Sequence, residues 1–397
     1  METLSTSFPQ PETLAVTPKQ QRLFIGVPRE TTLQENRVAL TPNSVYTLAN
    51  HGHRIVIESG AGEKAHFSDL AYAEAGAEVA LVPKEVYEAD VVIKVAPPTL
   101  EEIEMTRPNQ VLISPIHLPM MHTEYLAKLM KKRVIALAME YIRDDETGSY
   151  PIVRIMSEIA GASSILIAAE LLSVARGGPG LLLGGIAGVP PAKVIILGAG
   201  VVAEYATRTA LGLGAEVRIF DNNVYKLMRL QKHVGRQLHT SVINPQHLRE
   251  QLTSADLAIG AIHAPQGRSP IVVSEDIVRQ MKNGSVIIDV SIDQGGVFAT
   301  SEPTNLDQPY FIKHGVLHYC VPNIPSRVAR TASEAISNIL TSLIIRAEAG
   351  GVASLILNHE GLRNGVYTYK GCLTNAYLGQ RFNIKSTPLD LLITSEF

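Results

Sequence analysis

The chain has 397 residues, 46% of them hydrophobic, with a formal net charge of −3. That length suits two domains, each with enough apolar mass for its own core. The charge balance shows no basic stripe, which argues against a nucleic-acid partner. The two cysteines, Cys320 and Cys372, form neither a disulfide framework nor a metal spacing, so reduced thiols in a cytoplasmic protein are expected.

Residues 1–21 carry Pro9, Pro11 and Pro18 without an apolar core and read as a disordered tail, not a signal peptide. From Phe24 onward short β-type runs alternate with helical segments. Strands are expected at Phe24–Val27, Arg54–Glu58, Val91–Val95, Val111–Ser114 and Val134–Ala138, with helices at Pro42–Asn50, opened by Thr41, and His122–Lys132. Such alternation predicts a mostly parallel sheet covered on both faces. Ser157–Arg176 reads as one long, largely buried helix, since Glu158, Glu170 and Arg176 are its only charges. The apolar stretch Leu181–Val202 is broken by Gly184, Gly185, Gly188, Pro190, Pro191 and Lys193, which excludes a membrane span there.

A second strand series follows at Val194–Leu197, Val217–Phe220, Leu257–Ala261, Val286–Val290 and Leu317–Cys320. After Asn323 the pattern turns helical through Ala335–Ala349, with no strand series left for a third domain. The expected architecture is therefore α/β, with two Rossmann-like domains of mostly parallel sheet. Residues 22–150 plus 330–397 form a discontinuous substrate domain completed by C-terminal helices, and 151–329 form a nucleotide domain.

The chemistry starts at Val194–Leu197, which runs into Gly198-Ala199-Gly200-Val201-Val202-Ala203, while Asp221 closes the next strand. Strand, glycine turn, helix, strand and acid in that order form a dinucleotide-binding unit. The pyrophosphate would rest on the helix N-terminus. Asp221 would accept hydrogen bonds from the ribose hydroxyls and repel a 2′-phosphate, which favours NAD; Lys226 lies a turn beyond.

Polar residues near strand ends supply the rest. Arg37, in the loop after the first strand, suits a carboxylate. Lys94, in an apolar strand, is costly there unless paired or functional. His117 can exchange a proton near neutral pH. Asp289 and Asp293, beside the Gly295-Gly296 turn, read as cofactor-side or substrate-side contacts, and His263 and Asn323 follow neighbouring strands toward the nicotinamide end. No metal spacing and no Gly-x-Ser-x-Gly elbow is present.

Several blocks in the right order resemble the alanine dehydrogenase/pyridine nucleotide transhydrogenase family. They are Val27-Pro-Arg-Glu30, Asn36-Arg-Val-Ala-Leu-Thr-Pro42, Ile93-Lys-Val95, Ile116-His-Leu118, Met156-Ser-Glu-Ile-Ala-Gly161, Gly198-Ala-Gly200, Ile288-Asp-Val-Ser-Ile-Asp-Gln-Gly-Gly296 and Tyr319-Cys-Val-Pro-Asn323. The resemblance implies NAD-dependent, reversible oxidative deamination of L-alanine to pyruvate and ammonia in amino-acid catabolism. It also implies a soluble homo-oligomer, a hexamer, with no membrane or nucleic-acid partner. By the same resemblance Arg37 and Lys94 hold the substrate, His117 is the acid–base residue, and Asp293 lies by the reacting nitrogen. Glu140 is a further active-site acid, and Ser157, Asp221, Lys226 and Asn323 contact NAD.

Family members commonly follow the lysine with Val-Lys-Glu-Pro, where this chain has Val95-Ala-Pro-Pro98. Pro115 and Pro119 flank His117, and Ile324 stands where a methionine often follows the asparagine. Two neighbouring enzyme classes stay open at this point: an amine-forming dehydrogenase of saccharopine or opine type, and the soluble NAD-binding subunit of a transhydrogenase. A non-enzymatic NAD sensor is a third reading.

Overall fold

Two sheets organise the chain, and each places a topological switch point beside the candidate residues. The computed structural model describes residues 22–32, 34–118, 121–264, 267–347, 351–352, 356 and 359–394. The expected N-terminal tail lies outside these.

The first sheet holds β1 (Phe24–Val27), β2 (Arg54–Glu58), β3 (Glu78–Ala80), β4 (Val91–Ile93), β5 (Val111–Ser114), β6 (Ile135–Ala138), β14 (Val366–Tyr369) and β15 (Cys372–Leu373). Their order is β15-β14-β6-β5-β4-β1-β2-β3. The second sheet holds β7 (Lys193–Leu197), β8 (Glu216–Phe220), β9 (His239–Ser241), β10 (Leu257–Gly260), β11 (Val286–Asp289), β12 (Tyr310–Lys313) and β13 (Val316–Tyr319), in the order β12-β13-β11-β10-β7-β8-β9. Pairing is parallel except where β12, β14 and β15 join, so both sheets are mostly parallel, as expected. Every residue of β4, β5, β6, β10, β11 and β13 is buried, because helices cover both faces. Strand order reverses between β4 and β1 in one sheet and between β10 and β7 in the other. Ligands of open parallel sheets bind at such places, outside the strands' carboxyl ends.

Three expectations need correction. The long helix spans Pro151–Leu171, and Val174–Arg176 is a separate 3-10 turn. It starts earlier than expected because Pro151 is preorganised for the first helical turn and loses no hydrogen bond there. It is also less buried than expected: nine of its residues are buried, while Val153 and Leu166 stand 42% and 57% exposed. Third, the C-terminal segment contributes more than helices to the first sheet. After the helix Ala329–Arg346 comes the hairpin β14–β15, added antiparallel to β6. Its turn residues Lys370 and Gly371 both have positive φ, the backbone that a tight two-residue hairpin requires.

Hydroxyls fasten the helix Ala329–Arg346 to the loop after β1. Ser333 Oγ accepts the Val38 N–H and Ser337 Oγ accepts the Thr41 N–H, both at 2.9 Å. Ser337 also bonds to Ser44 Oγ at 2.6 Å. These contacts satisfy buried backbone donors just where the chain carries Arg37.

Candidate functional site

The cofactor side is built by the turn after β7. Gly198 has φ +114°, and a Cβ there would stand 2.3 Å from the Ala261 carbonyl oxygen, so only glycine lets β7 turn against the chain leaving β10. Gly200 caps the helix Val201–Gly212 without a side-chain hydrogen bond, and nothing lies within 4 Å of where its Cβ would be. The helix N-terminus is therefore open beside Gly200, and the first-turn amides of the half-buried Val201 and Val202 stand at the positive end of a helix dipole, a cradle that fits a pyrophosphate. Ala203 is buried against the sheet.

Asp221 lies at the tip of β8 and ties that cradle together. Its Oδ2 accepts the Ala199 N–H at 2.8 Å and its Oδ1 the Asn223 N–H at 2.7 Å. A carboxylate has about four lone-pair sites, so two remain for ribose hydroxyls. Lys226 is exposed in the next helix, its N–H capped by Asn223 at 3.1 Å. His263 is exposed just beyond β10, and Ser157 is half-buried on the helix Pro151–Leu171.

Asp289 is corrected from ligand contact to scaffold. It is buried, and it accepts hydrogen bonds from the backbones of Ser291, Val297 and Phe298 and from Ser301 Oγ. This network shapes the loop that presents Asp293. Asp293 is open to the cleft, yet the protein around it strips enough water to raise its pKa to about 6, against the lowering pull of the Asn323 backbone N–H and Arg37.

The substrate side centres on Arg37, which is 9% exposed. Glu35 grips it through Nε at 2.7 Å and Nη2 at 2.6 Å, while Nη1 points at Met156 Sδ, 3.3 Å away. Burial opposes the guanidinium's charge, and Glu35, Glu30 and Asp293 more than offset it, so its pKa is raised. Glu35 also takes an N–H from the Asn323 side-chain amide at 2.8 Å. Asn323 holds the left-handed backbone, φ 57°, that asparagine tolerates better than most residues. One connected set, Arg37–Glu35–Asn323–Asp293, thus bridges the carboxyl edges of the two sheets. Glu35 is the member that sequence reasoning missed; the available signal was an acid two residues before a loop arginine.

His117 stands exposed in the loop after β5, and no other described residue hydrogen-bonds its ring. The protein around it still lowers its pKa, by partial desolvation. Its neighbour Ile116 donates its N–H to Glu140 Oε1 at 2.6 Å. Glu140 Oε2 is buried without a hydrogen-bond partner among the described residues, and burial lifts the carboxyl's pKa to about 7.

Lys94 has the pairing that its buried position requires. It sits one residue past β4, 1% exposed, with its ammonium 3.0 Å from both Glu30 Oε2 and Glu102 Oε1. Two internal carboxylates hold the ammonium beside the β1–β4 switch point. The cost of burying a lysine is met by pairing.

Comparisons with known proteins place the chain in a family. The family model "Alanine dehydrogenase/PNT, N-terminal domain" matches residues 26–160, and the corresponding C-terminal domain matches residues 164–376. Alanine dehydrogenase 2 of Staphylococcus aureus (strain Mu50 / ATCC 700699) is 40% identical over 363 residues, covering 91% of this chain and 97% of that protein. A solved L-alanine dehydrogenase superposes with a TM-score of 0.85 at 38% identity, covering 90% of this chain and 99% of that one. A transhydrogenase from Sinorhizobium meliloti shares the fold, with a TM-score of 0.76 at 24% identity over 89% of this chain and 99% of that one. The chain belongs to the alanine dehydrogenase/PNT family.

Proposed function

We propose that the protein is an NAD-dependent amino-acid dehydrogenase that reversibly converts L-alanine and water to pyruvate and ammonium. The observation that carries this reading is the Arg37–Glu35–Asn323–Asp293 set. It joins a buried, oriented guanidinium on one sheet to the edge of a dinucleotide cradle on the other, in a chain 40% identical to an alanine dehydrogenase. Residues 22–150 with 330–397 are assigned to the substrate domain and 151–329 to the nucleotide domain, a division supported by sheet membership.

NAD supplies the hydride acceptor; Gly198, Ala199, Gly200, Val201, Val202 and Asp221 would hold it, with Ser157, Lys226, His263 and Asn323 around it. Arg37 keeps its Nη1 and one Nη2 hydrogen free of Glu35, so that edge holds the substrate carboxylate through two parallel bonds. Asp293, ionised at neutral pH, faces the cationic amine. His117, neutral because its pKa lies below the ordinary value of 6.5, takes the proton released as the amine is oxidised and water adds. Glu140 fixes the backbone beside that imidazole through Ile116.

Reverse turnover tests the assignment. Pyruvate plus ammonium should consume NADH, and pyruvate without ammonium should not. Consumption only when an amino acid replaces ammonium would move the protein to the opine-type class.

Cofactor choice is tested at Asp221. Replacing it with alanine is expected to narrow the preference for NAD over NADP by about tenfold or more, since removing a charge-assisted pair costs about 1.5–3 kcal/mol. An unchanged ratio of kcat/KM values would place Asp221 away from the ribose.

A homo-oligomer, a hexamer by family resemblance, in the cytoplasm completes the proposal. The helix Pro151–Leu171 is long and apolar enough to cross a membrane, but one face packs in the core. Leu166, Leu182, Ile186 and Val189 are exposed, an apolar surface that a second copy would cover. A monomer mass in sedimentation at working concentration would contradict this.

A further inference from the structure

Two side chains outside the substrate and cofactor set tie the loop that carries Arg37 to the chain leaving the other sheet. Beyond β13 comes the 3-10 turn Ile324–Val328, and Ser326 is buried in it at 2% exposure. Its hydroxyl donates to the Gln34 carbonyl oxygen at 2.6 Å and accepts the Asn36 N–H at 3.0 Å. One hydroxyl therefore spans Glu35, holding the backbone on either side of it. The Asn36 side-chain amide reinforces the grip, its Nδ2 3.4 Å from the Ser326 carbonyl oxygen. Farther out, Gln34 Oε1 accepts the Leu306 N–H at 2.8 Å, and Leu306 packs on the second sheet's core. Gln34 has φ +63°, a left-handed backbone uncommon outside glycine and asparagine, which persists only where the surroundings over-determine it.

The turn itself is fixed on the nucleotide side. Ser326 donates its N–H to the Asn323 carbonyl oxygen at 2.9 Å, and Ile324 is buried in the second sheet's core. From the same turn Asn323 sends its side-chain amide to Glu35 and its backbone N–H to Asp293. Glu35 in turn holds the guanidinium of Arg37 and also its N–H, the latter at 3.0 Å. We infer that Ser326, with Gln34 behind it, is a positioning residue that locks the Arg37 loop to the Asn323 turn and so sets the grip on the substrate carboxylate. In this role it acts through Glu35 and touches neither substrate nor cofactor. The inference deepens the proposed function and rests on it for the identity of the substrate. The physical cause is local: without the hydroxyl, a partly buried N–H and a partly buried carbonyl lose their partners.

The test compares purified full-length wild type with Ser326→Ala, which is smaller and cannot clash, and with Gln34→Met, which removes the tie to Leu306 at similar side-chain length. Each is measured for kcat and KM in pyruvate reduction with ammonium and NADH, for NADH affinity by fluorescence, and for backbone hydrogen exchange across residues 34–38. Ser326→Ala is expected to raise KM for pyruvate about tenfold, the scale of a buried donor left unpaired. Its kcat and NADH affinity should hold, the pattern of lost binding rather than lost chemistry. Exchange across the segment should quicken. Gln34→Met should shift the same quantities in the same direction, and it carries the comparison alone if Ser326→Ala does not fold. A serine with a merely structural role would lower the active fraction, and kcat with it, at unchanged KM; that result would overturn the inference. Faster exchange with wild-type KM would overturn it too, since the loop would loosen without consequence for the carboxylate. So would a loss of NADH affinity in step with KM, which would place the effect in the nucleotide domain, or exchange in Ser326→Ala identical to wild type, because nothing would then be held. If the wild type reduces a 2-oxo acid other than pyruvate, the alanine assignment falls and the same comparison is made on that acid. The exchange readout needs no substrate, so the two failures are separable.

Discussion

His117→Ala is expected to bind NADH as wild type does and to lose turnover by about 10²-fold or more, the usual contribution of a positioned acid–base group. The imidazole is exposed in the loop after β5 and makes no hydrogen bond to other described side chains, so its removal should leave the fold intact. The pH dependence carries the sign. Desolvation disfavours the charged imidazolium and lowers its pKa from 6.5, so the proton-accepting form persists to lower pH than in a free histidine. Deamination in the wild type should therefore fall only as pH drops below about 6.5, with Asp293, at about 6, losing its charge over the same range. Stopped-flow turnover and a kcat/KM profile from about pH 5 to 10 check both parts. Near wild-type rates in His117→Ala would remove it from the mechanism.

Arg37→Met should be more damaging, because it strikes both substrate and fold. A lost bidentate, charge-assisted pair predicts a fall in kcat/KM of about 10²–10³-fold, seen mainly in KM for alanine or pyruvate. It also strands Glu35, which is buried and gripped by that guanidinium at 2.6 and 2.7 Å. Breaking one side of a buried ion pair costs about 3–5 kcal/mol, readable as a drop in Tm. Adding Glu35→Gln should recover much of the stability and none of the substrate affinity. If both recover together, the arginine is structural and the substrate carboxylate binds elsewhere.

The fold was legible where local pattern and long-range packing agree. Fully buried parallel strands read as apolar runs, and the glycine turn with its distal acid located the nucleotide cradle, since each step of that motif is local. The hairpin β14–β15 was not read because each strand is short, although Val366-Tyr-Thr-Tyr369 has the β-branched and aromatic character of a strand and Lys370-Gly371 suits a tight turn.

The site was legible at Arg37, His117, Asp221 and Asp293 as residue types near strand ends. What each one touches was not, because the partners are distant in sequence. Asn323 reaches Glu35 from the other sheet, and Glu30 meets Lys94 across two strands. A lysine in an apolar strand announces that its burial cost must be met, and either a substrate or internal carboxylates can meet it. The structure shows Glu30 and Glu102, both distant in pattern from the strand, meeting part of that cost. Asp289 shows the same ambiguity in reverse: beside a Gly-Gly turn it looks like a ligand contact, while its four donors all belong to the loop it shapes.

Substrate choice is the central claim, and initial-rate NADH formation at alkaline pH tests it most directly. The purified protein would be offered L-alanine, L-serine, glycine and L-lysine in parallel, each with NAD and with NADP. Rapid turnover confined to L-alanine, and far faster with NAD than with NADP, is the predicted result. Tight NADH binding with no alanine turnover, or a stronger rate with another of these amino acids, would contradict it.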